Sequence, residues 1–159
     1  MTEVNGLRLA YRGFVAGLAG AYVWIAVAML LSLPTGGPMA PVQALGSIGP
    51  EGARTSTSEA LVLGLGLVQL AGAGVGMAFA YFFGRFFTVR ATLATAAVCV
   101  AILAWSLVGS RVGIAIGVDE VDLVTSLALL AATIGYGWVV GVSVPVRGEV
   151  LRYDSSPVT

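Results

Sequence analysis

The chain has 159 residues, 58% of them hydrophobic and 10% charged, with zero net charge and a mean hydropathy of +0.96. An average soluble domain carries roughly 25% charged residues, so this composition describes an integral membrane protein and leaves no basic footprint for nucleic acid. Histidine and lysine are both absent, which removes the usual haem, zinc and copper ligand, the usual general base, and Schiff-base and phosphate-loop chemistry.

MTEVNGLRLAYR is a short polar lead-in to the first apolar run, GFVAGLAGAYVWIAVAMLLSL, from Gly13 to Leu33. The run exceeds the roughly 7–15 residues of a signal-peptide core, and no A-x-A cleavage site follows it, so it reads as a retained first span over 13–33. Gly13, Gly17 and Ala21 recur at four-residue spacing and fall on one stripe, where a second backbone can approach closely. Pro34 stops this helix and opens an outer loop, 34–58, rich in proline and glycine. Within the loop, Pro41 at a first-turn position followed by VQALGSI predicts one short interfacial helix. Ser56, three residues before Glu59, fits a capping box. That makes Glu59 a helix cap at the membrane edge in preference to an ion-carrying carboxylate.

The second span, 59–84, contains 25 uncharged residues from Ala60 to Gly84, enough at ~1.5 Å rise per residue to cross a core of ~30 Å. Gly72, Gly76, Ala80 and Gly84 form a second small-residue stripe, complementary to the first. The span ends in AYFFGRFF. Here Arg85 and then Arg90, set among phenylalanines and a tyrosine, read as anchors in contact with lipid headgroups. The connection onward is so short that spans two and three are expected to be antiparallel neighbours.

The third span, 91–109, carries the lone Cys99 among small apolar residues, where it reads as a filler. Arg111 ends it. Asp119, Glu120 and Asp122 then precede the fourth span, 122–144, at a helix N-terminus that favours negative charge. The run lacks the ligand spacing of a calcium loop, so no metal site is expected, and a docking patch for a basic partner is the other reading. Gly137 and Gly141 give the fourth span its own close-packing pair. Pro145 closes it ahead of the polar tail RGEVLRYDSSPVT.

Arginine placement sets the orientation. With the N-terminus inside, Arg8, Arg12, Arg85, Arg90, Arg147 and Arg152 lie on the cytoplasmic side and only Arg54 and Arg111 face out. Polar residues within the spans are few. Gln69, Ser106 and Thr133 are the candidates for a polar path, although membrane-helix hydroxyls usually bond their own backbone or bridge helices. No buried acid of the kind used by ion-coupled transporters is present, and no nucleophile and base can be paired, so no catalytic residue is expected.

The glycine-rich first helix GFVAGLAGAYVW, the loop PMAPVQALGSIG and the second helix GAGVGMAFAYFFG resemble a loose group of small prokaryotic four-span membrane proteins of uncharacterised role. The resemblance covers roughly the first half of the chain and implies architecture. Relatives of this type often carry a histidine in the second span, which this chain lacks.

These readings give an all-α, single-domain integral membrane four-helix bundle over 1–159, with both termini cytoplasmic, multi-pass in the inner (plasma) membrane. The functional expectation is a non-catalytic accessory subunit, without a cofactor of its own, in contact with membrane lipids and larger membrane-protein subunits. Its setting is an energy-converting complex of respiratory or photosynthetic electron transfer. The alternative is a small homo-oligomeric channel or transporter for a neutral or small solute.

Overall fold

A computed structural model describes residues 6–34, 37–47, 57–115 and 123–146. They form five helices: α1 (Gly6–Leu31), α2 (Ala40–Gly46), α3 (Thr57–Phe83), α4 (Arg90–Ala115) and α5 (Leu123–Ser143). Helices α1, α3, α4 and α5 are long and apolar enough to cross a membrane. This follows from the solvent, because hydrocarbon offers no partner to a backbone N–H or C=O and a helix satisfies both within itself. The protein is an all-α membrane bundle.

The helix bounds agree with the apolar runs within two residues except at two ends, which extend well beyond them. Helix α1 begins at Gly6, within the polar lead-in, and α4 continues past Arg111 to Ala115. Hydropathy marks what lies in hydrocarbon, whereas backbone hydrogen bonding continues into the headgroup region, so at these two ends the helix outruns the span. The Ser56 cap, the acidic residues 119, 120 and 122, Arg54, the side chain of Arg111, and the tail from Arg147 lie outside the described residues.

Helix α1 is central. It packs extensively on both α3 and α5, and α5 in turn packs on α4. Helices α3 and α4 barely touch, although only residues 84–89 join them. The short connection makes them antiparallel and consecutive, but close packing requires matching small faces, and those faces point at α1 and α5. The four spans therefore form an arc in the order α3, α1, α5, α4, open between its two ends.

Helix α2 fills part of the space beside α3. Gly37, at φ +91°, supplies the left-handed turn ahead of it, and Pro41 stands in its first turn. Its backbone lies directly on that of α3. Gly46 faces the Ala60 carbonyl, and Gly64 faces the Val42 carbonyl, so a side chain at either glycine would collide with main chain. The pairing of 46 with 60 and of 42 with 64 runs α2 antiparallel to the first turns of α3, and Val42 is fully buried there. The short helix expected from Pro41 is thus present, and it is docked against a span.

Candidate functional site

Small residues set how closely the helices approach. On the α1–α3 seam, Gly13 faces the Gly76 carbonyl and the Ala80 Cβ, while Gly17 faces the Gly72 carbonyl and Ala73. A Cβ placed on Gly72 would lie 2.8 Å from that of Ala21. Gly84 sits where three helices converge, and a Cβ there would be 2.9 Å from Leu9 Cδ2 and 3.5 Å from Val144 Cγ1. On the α4–α5 seam, Gly137 and Gly141 face Val98 and Ala94, with a Cβ on Gly137 lying 2.6 Å from Val98 Cα. Without a difference in hydrophobicity between lipid and protein to drive them together, such contacts hold membrane helices by van der Waals packing. These stripes are occupied within the chain itself.

The seam between α1 and α5 is built differently. Gly20 of α1 receives the edge of the Tyr136 ring, to which a Cβ at Gly20 would approach within 2.7 Å. The Tyr136 hydroxyl then reaches past α1 to donate to the Gly72 carbonyl of α3 at 2.6 Å. One turn away, the buried Trp24 Nε1–H donates to Thr133 Oγ1 at 3.3 Å, and the Thr133 hydroxyl donates to the Leu129 carbonyl at 2.8 Å. Two side chains of α5 thereby tie the first, second and last spans together. Among the described residues, no buried side-chain nitrogen or oxygen lacks a hydrogen-bond partner.

In front of this polar seam lies a cavity of about 320 Å³. Its back is formed by Ala21 and Trp24 of α1 with Thr133 and Tyr136 of α5. Its sides are Leu67, Val68, Ala71 and Val75 of α3 and Ala101, Ala104 and Trp105 of α4. Leu45 of α2 closes one end. Trp24 and Trp105 meet with ring centroids 5.5 Å apart and planes tilted by 48°, an arrangement that suits their quadrupoles. Because α3 and α4 both line the cavity but hardly touch each other, it opens sideways between them.

The three residues considered for a polar path do not converge on this cavity. Thr133 lines it, with its hydroxyl already engaged by Trp24 and Leu129. Ser106 is exposed on α4 and bonds its own helix at Leu103. Gln69 is half-buried on α3 and is not part of the lining. Thr92 and Thr95 bond back to the carbonyls of Val89 and Ala91. At the turn between α3 and α4, Arg85 is exposed, with its guanidinium 5.7 Å from the Tyr81 ring centre and 5.3 Å from that of Phe86, both within cation–π range. Arg90 is exposed at the start of α4. Glu59 is exposed in the first turn of α3.

Trp24, Trp105 and Tyr136, which shape the cavity, are not among the residues singled out from the sequence. A signal existed. Aromatic side chains of the interfacial belt sit at span ends, whereas Trp24 and Tyr136 lie well inside theirs, at positions where an indole or phenol must find its partner within the protein. Comparison with models of protein families, with curated proteins and with solved structures gives no match for this chain.

Proposed function

We propose that the chain is a non-catalytic accessory subunit of a larger assembly in the plasma membrane, of the energy-converting kind that carries respiratory or photosynthetic electron transfer. The observation that carries this reading is the use of polar side chains in the bundle interior. Trp24, Thr133, Tyr136 and Ser32 all direct their donors to one another or to backbone carbonyls of the same chain. Groups engaged in this way stiffen a scaffold and are not free to grip a solute or a reacting atom. The outer faces of the bundle are broadly apolar, with Leu70 and Leu107 among the most exposed residues, and offer area to lipids and neighbouring subunits alike. The channel reading is weaker, because of Gln69, Ser106 and Thr133 only the last reaches the cavity.

The test is purification from gently solubilised native membranes by a C-terminal tag, followed by identification of whatever accompanies the chain. Larger cofactor-bearing subunits recovered at fixed stoichiometry are the expected outcome. Recovery of the chain alone as a defined homo-oligomer overturns the proposal and makes solute flux across vesicles the next measurement.

A further inference from the structure

We propose that the cleft between α3 and α4 is a binding site for one hydrocarbon chain of a membrane phospholipid, drawn from the leaflet bordered by the α3–α4 turn. The inference stands apart from the accessory-subunit reading and requires only the isolated chain.

Four observations carry it. The first is depth. The lining residues 21 and 24, 67 to 75, 101 to 105, and 133 and 136 fall near the middle of their helices, so the opening faces bilayer hydrocarbon. The second is chemistry. The donors at the back of the cleft, Trp24 Nε1–H, the Thr133 hydroxyl and the Tyr136 hydroxyl, already have acceptors within the protein. What the cavity presents is therefore rings, methyls and methylenes, which repel water and accept an apolar guest. The third is size. A volume of about 320 Å³ falls at the low end of the roughly 300–1,000 Å³ range of small-molecule sites, which commonly lie between the helices of bundles. It suits a chain and not a bulky headgroup.

The fourth is direction. Leu45 of α2 closes one end of the cavity, and α2 lies along the first turns of α3, so a chain bound here leaves toward the other end of α3. Arg85 stands ten residues beyond Val75 in the sequence. Helix α3 carries the first eight of these to Phe83, roughly 12 Å at ~1.5 Å rise per residue, and Arg85 follows in the turn, near the edge of one half of the ~30 Å hydrocarbon core. A phospholipid with one tail in the cleft thus has its phosphate at the level of Arg85. The helix-to-helix gap and the guanidinium together describe a whole lipid molecule, tail and head.

The experiment uses the full-length protein carrying Trp138→Phe, which removes the exposed indole of α5 and leaves emission from Trp24 and Trp105. In vesicles of phospholipid brominated midway along its chains, both remaining tryptophans are quenched. Native mass spectrometry of the detergent-purified protein finds one phospholipid retained per chain. Ala104→Phe fills the cleft from α4 and Ala71→Phe fills it from α3, so that failure of one variant to fold leaves the other to decide. In the folded variant, retention falls by about tenfold or more, the factor that corresponds to ~1.4 kcal/mol of lost contact. Unchanged lipid retention and quenching in a folded cleft-filling variant overturns the proposal. So does a second copy of the chain over the opening, seen as a disulfide-linked dimer of the Ala104→Cys, Cys99→Ala protein that carries no lipid.

Discussion

Replacing Gly76 by alanine tests how α1 and α3 are held together. A Cβ at Gly76 would stand 2.5 Å from the Gly13 carbonyl oxygen, 2.6 Å from Gly17 Cα and 2.8 Å from Gly17 N. All three are main-chain atoms and cannot rotate away. Ordinary contact begins near 3.4 Å, so the two backbones must separate by close to an ångström along a seam that also contains Gly13, Gly17 and Gly72. Overpacking of this kind costs typically ~1–3 kcal/mol. It is opposed by the helix propensity of alanine, which exceeds that of glycine by ~0.8–1.0 kcal/mol in a helix interior. Gly74 provides the internal control, because it lies two residues away on the same helix and a Cβ there meets nothing within 4 Å. Both substitutions gain the same propensity. The difference in stability between Gly74→Ala and Gly76→Ala therefore isolates the steric part, and Gly76→Ala is expected to be the less stable by ~1–3 kcal/mol. Equilibrium unfolding in mixed detergent–denaturant micelles, followed by tryptophan emission, measures it. Equal stability of the two variants, or a more stable Gly76→Ala, would refute the close approach of α1 and α3.

Thr133→Val removes the acceptor of the buried Trp24 indole and should lower stability in the same assay by ~0.6–1.7 kcal/mol, the span from average to largest for hydrogen bonds between membrane helices. Thr133→Ser should restore it, and a valine variant as stable as the parent would show that the 3.3 Å contact contributes nothing. For orientation, in a Cys99→Ala background, Leu7→Cys should react with an impermeant maleimide only in inside-out vesicles and Met39→Cys only in right-side-out ones. Labelling of both from the same side would contradict an odd number of crossings between them, and the reverse pattern would invert the arginine-based assignment.

The class of the fold could be read from composition and run length, because a bilayer admits so few solutions for an apolar backbone. The arrangement of the helices could not. Four-residue spacing shows that Gly13, Gly17, Gly72 and Gly76 lie on narrow faces, but spacing does not name the helix each face will meet. Chain proximity suggested that the second and third spans pack together. The structure instead gives α3 to α1 and α4 to α5, because Gly137 and Gly141 find their match in Ala94, Ala97 and Val98. The cleft was invisible for the same reason. It is made by a contact that does not form, and its walls come from five helices whose residues have no pattern in common along the sequence. The mid-span aromatics Trp24 and Tyr136 were its trace.

The arc has a further consequence for the order in which the protein is made. Helix α4 rests almost wholly on α5, which follows it in the chain, and the bond from Trp24 to Thr133 spans 109 positions of the chain. A nascent chain that has inserted only its first three spans can already join α1 to α3 and seat α2, yet its α4 lacks the helix on which it chiefly packs. Arrival of α5 fastens α4 and, in the same event, closes α5 against α1 through Trp24 and Thr133. Until α5 has entered the membrane, α4 is thus the least supported of the spans already made.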